Sequence, residues 1–306
     1  MPTIVDIRNY YKSSLEKKVF FDKKTSMGKT YYIMYLHDAK KEEEYFVETF
    51  SQYFPYYVWN EDQLDTLNMS VGMKASLELA SKNCWNSQVV AKRQTQANGI
   101  YGELFLDFYE RVVHDRKLIT TYASRRAYTD KTESRGYDHI GYLLNNGALE
   151  VVIGEAKYVS TASSASSSLL EDINGKNASE PGHLTAKYFN DFINFVVCEN
   201  KQFSEDEKLE LKSLMQELNS LLVNGGKSFL EYVVDNNIKL NVVLFAIFSD
   251  NRENPDLFKI YYDRLYEDAE AAIQLMGICN YSIEIVFIPT KATSMYIKGK
   301  IDDFYK

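Results

Sequence analysis

The tripeptide Asn145-Asn146-Gly147, set between the apolar runs 137–144 and 149–159, limits what this chain can fold into more than any other segment. Asn and Gly both tolerate positive φ, so an Asn-Gly pair between strand-like runs predicts a hairpin with a two-residue loop. With Asn146 and Gly147 as that loop, Asn145 pairs with Ala148, and Asp138 falls opposite Glu155. Side chains alternate along a strand, so Val151, Ile153, Glu155 and Lys157 share one face, and in this register Asp138 joins them. Directly opposed side chains lie about 4.5–5.5 Å apart at Cβ, and like charges there are destabilising. Two carboxylates in otherwise apolar strands therefore call for a cation. Mg²⁺ suits them, with Mn²⁺ as a substitute, because it takes oxygen ligands and keeps waters for chemistry. Lys157, on the same face, is placed to hold a metal-bound water or to offset charge developing on a phosphate. Gly154 and Ala156 face the other way. Their smallness lets a helix pack close behind and leaves the Ala156 carbonyl accessible as a further metal ligand.

Around the hairpin the hydrophobic spacing changes period. Residues 1–90 predict an α+β accessory region for partner docking, with a strand at 29–37, a helix at 41–54 stopped by Pro55, a short strand at 56–59 and a helix at 61–80. In residues 91–306, Ile100, Tyr101, Leu104, Phe105, Phe108, Tyr109 and Val112 form the apolar face of a helix preceding the hairpin. The serine-rich stretch 160–168 and the Gly, Asn and Pro of 174–182 predict a mobile loop, which opens a helical insertion over 160–238. Its helices are expected at 183–197, 205–222 and 226–235. A buried strand at 240–248, a helix at 255–276 and a strand at 281–288, ended by Pro289, complete the order. That alternation predicts an α/β sandwich, a central mixed sheet flanked by helices.

Composition narrows the function classes. No stretch reaches the roughly 20 apolar residues of a membrane span, and the N-terminus lacks a basic-then-apolar leader. Three widely spaced cysteines, Cys84, Cys198 and Cys279, suit reduced thiols in a cytoplasmic protein rather than a disulfide framework or a zinc site. A net charge of −8 argues against a nucleic-acid coat protein, yet residues 111–135 carry seven basic and three acidic side chains. Within that block Arg125, Arg126 and Tyr128 are candidates to grip a nucleic-acid backbone, which positions a substrate without reading sequence. Gly28-Lys29-Thr30 and Gly226-Lys227-Ser228 each end like a phosphate-binding P-loop. The required glycine five residues earlier is Lys23 in one and Leu221 in the other, so neither qualifies.

Glu-x-Lys also occurs at Glu16/Lys18 and Glu210/Lys212, but in charged, helical surroundings. Only Glu155/Lys157 lies in an apolar strand with an Asp-bearing strand just before it. An Asp on one strand, a turn, then Glu-x-Lys on the next, after a helix bearing Glu, resembles the PD-(D/E)XK nuclease superfamily. More narrowly, YGELFLDFYERVV, RGYDHIGYLL and EVVIGEAKYV resemble the HamA nuclease family of the Hachiman anti-phage defence system, over roughly residues 95–290. The resemblance implies a PD-(D/E)XK nuclease-like sandwich in which Asp138 and Glu155 hold the metal, Lys157 is the catalytic lysine and Glu103 is the helix acid that joins the site. It also implies DNA as substrate and a HamB-like helicase subunit as partner. The residues themselves do not choose between DNA and RNA. A nuclease-like fold that only binds DNA or a partner is the rival reading, disfavoured by the intact Asp, Glu and Lys. His139 points away from Asp138 by strand parity and is expected to be packed. His183, opening a helix after the loop, is a candidate to approach the site.

Overall fold

The fold is given by a computed structural model that describes residues 9, 12–13, 19–26, 29–36, 41–58, 73–86, 98–118, 137–145, 148–177, 180–190, 228–249, 255–290 and 294–306. Its centre is β8 (Lys239–Ser249), whose run Val242–Phe248 is apolar at every position. Such a run belongs to a strand covered on both faces, and residues 240–248 are all buried. On one side β8 pairs in parallel with β5 (Ala148–Val159), and on the other with β9 (Tyr281–Thr290). β4 (His139–Asn145) and the two-residue β3 (Lys117–Leu118) add antiparallel beyond β5. β2 (Lys29–Leu36) pairs in parallel with β9 and carries the antiparallel edge strand β1 (Val19–Ser26). The seven-stranded mixed sheet runs β1-β2-β9-β8-β5-β4-β3.

Helices cover both faces. α1 (Glu42–Val58), α2 (Met73–Trp85), α3 (Asn98–Phe108) and α7 (Ser294–Tyr305) build an aromatic core with Val152, Ala156, Val243 and Phe245. On the other face α4 (Ala162–Asn174), α5 (Phe229–Asp235) and α6 (Pro255–Leu275) pack with Val151, Ile153, Val242 and Leu244. A short hairpin, β6 (Gly175–Asn177) with β7 (Glu180–Pro181), follows α4. Residues 19–36 thus lend strands to the sheet, and residues 42–85 lend Phe46, Phe50, Tyr53, Phe54 and Trp85 to the core beneath it. No helix among the described residues is long and apolar enough to cross a membrane.

Several local expectations change. Helix α1 runs through Pro55 to Val58, taking in residues 56–58 of the short strand expected at 56–59. Proline removes one internal hydrogen bond, but Phe54, Tyr56, Tyr57 and Val58 are each at most 3% exposed, and their burial outweighs that loss. The serine-rich stretch is not a loop: Thr161 caps α4 by accepting from the Ser164 N–H. Ala162, Ala165, Leu169 and Ile173 then recur at helical spacing and are buried. β9 continues through Pro289, which lies beside Phe248, to Thr290. Helix α3 passes into a π-turn at Tyr109–Val113. The helix expected at 205–222, residues 59–72 and Cys198 lie outside the described residues; Cys84 is buried and Cys279 exposed, both free thiols.

Candidate metal centre

The β4–β5 ladder has the expected register, with Asn145 opposite Ala148, Tyr142 opposite Val151 and His139 opposite Gly154. Asn146 and Gly147 themselves lie outside the described residues. Asp138 sits one residue before β4, in a bend, so it does not extend the ladder as a strand partner of Glu155. Its Oδ2 instead accepts from the backbone N–H of Ala156 at 2.8 Å, which draws the carboxylate to the stretch of β5 between Glu155 and Lys157.

Two residues from the segment after β5 complete the cluster. Lys157 Nζ reaches Asp172 Oδ2 of α4 at 2.5 Å, and His183 Nδ1 lies 2.6 Å from Glu155 Oε1. Glu155, Asp172 and His183 each offer a ligand atom, all within 4.8 Å of one another. Glu155 is 4% exposed. Burial and then the Asp138 charge push its carboxyl up to about 8, against the opposing pull of His183. Burial lowers Lys157, but Asp138, Asp172 and Glu155 outweigh it and hold the amine above its ordinary value. Burial also lowers His183, and its bond to Glu155 with the surrounding carboxylates reverses the sign. A buried carboxyl raised by burial and by a neighbouring acid, with oxygen and imidazole donors converging, fits a divalent cation; His183 and Lys157 face the carboxylates here.

The position of His183 is tightly determined. A Cβ added to Gly182 would come 2.0 Å from the Ile173 carbonyl oxygen, so only glycine permits this approach to the end of α4. The next backbone N–H, that of His183, donates to Asp172 O at 2.5 Å, and the His183 carbonyl accepts from Tyr137 OH at 2.8 Å. The imidazole packs 4.8 Å from the Tyr188 ring.

Glu103 stands apart. Its helix α3 covers the opposite face of β5, where a Cβ on Gly102 would lie 3.5 Å from the Ala156 Cβ and one on Gly154 would meet Leu106 at 2.9 Å. The small residues thus admit a helix behind the site, as their size suggested. Glu103 Oε2 accepts from Tyr57 OH at 2.5 Å, and Glu103 is not in the ligand cluster. Its neighbours are no solvated surface: Asp107 accepts from Tyr53 OH at 2.7 Å and faces His139 at 3.4 Å, while Glu110 pairs with Arg116 at 2.6 Å. His139 is fully buried, as strand parity predicts. Arg111 and Arg116, counted in the basic block, are bound inward to Asp107 and Glu110. Arg125, Arg126 and Tyr128 lie outside the described residues.

Asp172 is the residue that sequence reasoning missed. The signal was available: it directly precedes Ile173 on the apolar stripe of an amphipathic segment with a Thr cap, eleven residues downstream of that cap. No curated protein shows a significant match to this chain. One family model, HamA, matches residues 9–299, nearly the whole of the 306 residues. The chain belongs to the HamA family, a subunit family of the Hachiman defence system.

Proposed function

We propose that this chain is a divalent-metal-dependent nuclease with a PD-(D/E)XK-like fold that hydrolyses DNA phosphodiesters with little sequence preference. It serves as the effector subunit of a defence complex with a helicase partner. The observation that carries this reading is the convergence of Glu155 and Lys157 on one face of β5 with the Asp138 carboxylate bonded to the amide between them. When bound, a divalent ion would polarise the scissile phosphate and lower the pKa of an attacking water. Glu155, Asp172 and His183 are the residues to hold it, with Asp138 adding negative charge beside them. Lys157, kept protonated by three carboxylates, is suited to stabilise charge on the phosphate rather than to act as a base. Membership of a Hachiman subunit family supports DNA and a helicase as substrate and partner. Residues 1–90 are proposed to dock that partner, and Arg125, Arg126 and Tyr128 to track phosphates.

The test is cleavage of plasmid DNA by purified protein, with and without the helicase, in Mg²⁺ or Mn²⁺. Wild type is expected to cut, and Asp138→Ala and Lys157→Ala to lose about 10²-fold or more in rate, the scale for removing one preorganised charge. Cleavage unchanged in Lys157→Ala overturns the assignment. A folded complex that binds DNA without cutting it establishes the rival, a nuclease-like module kept for binding.

A further inference from the structure

His183 enters the candidate site with a nitrogen, and its placement is too constrained for a passing surface contact. We infer that His183 is an inner-sphere nitrogen ligand of the metal centre and gives it a preference for a divalent transition ion, Mn²⁺, over Mg²⁺. This rests on the metal-centre reading above and adds the identity of the ion.

The His183 nitrogen against the cluster is Nδ1, 2.6 Å from Glu155 Oε1, and a ligand atom from each of Glu155, Asp172 and His183 lies within 4.8 Å of the others. Backbone and ring hold it there together. The Gly182 contact with Ile173, the His183 N–H on Asp172 and the Tyr137 hydroxyl on the His183 carbonyl fix the main chain. Tyr188 packs on the ring, with Tyr137 edge-on 6.3 Å away. A histidine needed only to neutralise Glu155 requires none of this, because a charge can be supplied from many positions. A ligand requires a fixed lone pair.

The donor chemistry gives the selectivity. Mg²⁺ is a hard ion that dehydrates reluctantly and favours carboxylates and water. Imidazole is a softer donor, and replacing one oxygen by it favours first-row transition ions relative to Mg²⁺. Two carboxylates with one imidazole still accept Mg²⁺, at lower affinity.

The test titrates Mn²⁺ and Mg²⁺ separately into the full chain by calorimetry, and records pulsed EPR of bound Mn²⁺ for coupling to ¹⁴N. Wild type is expected to bind Mn²⁺ at least about tenfold more tightly than Mg²⁺ and to show ¹⁴N coupling; His183→Ala should lose the coupling and shrink the ratio to about threefold or less. His183→Asp, which restores an oxygen donor, should move the preference toward Mg²⁺, and it serves equally if the alanine variant does not fold. Mn²⁺ bound without ¹⁴N coupling, at a ratio that neither substitution changes, overturns the role of His183 and leaves the metal centre standing. Failure of folded wild type to bind either ion removes the centre and this inference together.

Discussion

A buried glutamate whose carboxyl is raised to about 8 would couple metal binding at the proposed centre to protons. In the metal-free protein Glu155 holds its proton across the window in which an unfolded glutamate, near 4.5, has released it. The folded state then binds more protons than the unfolded one, so stability falls as pH rises from about 4.5 toward 8. His183, raised against burial by its bond to the same carboxylate, shares that proton with Glu155, so the two titrate as one pair in the same direction. Thermal melts in EDTA should show this decline, by at most about 1.4 kcal/mol per pH unit for each proton. A divalent ion must displace the Glu155 proton, so Mn²⁺ affinity should rise with pH over the same window. Glu155→Gln should flatten the melting trend and weaken binding at every pH; a slope unchanged in that variant would show that another group titrates.

Elements aim these residues, and two are exposed to single changes. Gly182→Ala would drive a methyl group into the Ile173 carbonyl. It should cost about 1–3 kcal/mol in a denaturant melt, the range for overpacking, and move His183 enough to lower metal affinity. An extra residue after Gly147 would turn each side chain of β4 to the other face of the sheet. Plasmid cleavage should be lost in that insertion variant, which takes Asp138 off the Ala156 amide, while Glu155, Asp172 and His183 still bind metal, as calorimetry would show. The hairpin was the most legible part of the chain because an Asn-Gly turn and a period of two determine register locally. The covering helix was legible through Gly154 and Ala156. Helix α4 was not: serine composition suggests a loop, and only the Thr161 cap with the Ala162/Ala165/Leu169/Ile173 stripe argues otherwise. Missing α4 meant missing Asp172. Pro55 misled for a related reason, since a local penalty was weighed without the aromatic core into which Tyr56 and Tyr57 turn. Glu103 entered through the family resemblance, and neither that nor helical spacing reveals that Tyr53 and Tyr57 of α1 bond to Asp107 and Glu103.

For the whole molecule, net charge bears on how the proposed DNA substrate would be met. The chain carries −8, and two arginines of its most basic block are committed to internal carboxylates. Long-range attraction for a polyanion is therefore weak, and under the proposed function a partner that already grips DNA would deliver it. Cleavage by the complex with its helicase should exceed that of the free subunit by at least about tenfold at physiological salt, where backbone binding is strongly screened. Equal rates in a side-by-side time course would remove delivery from the account. The residues gathered at the candidate centre, Asp138, Glu155, Lys157, Asp172 and His183, all come from one 46-residue stretch of the chain. A cluster so contiguous in sequence is expected to assemble by short-range closure, without waiting for the distant ends of the polypeptide to find each other. Length changes between 138 and 183 are therefore expected to break the cluster more readily than length changes outside that stretch.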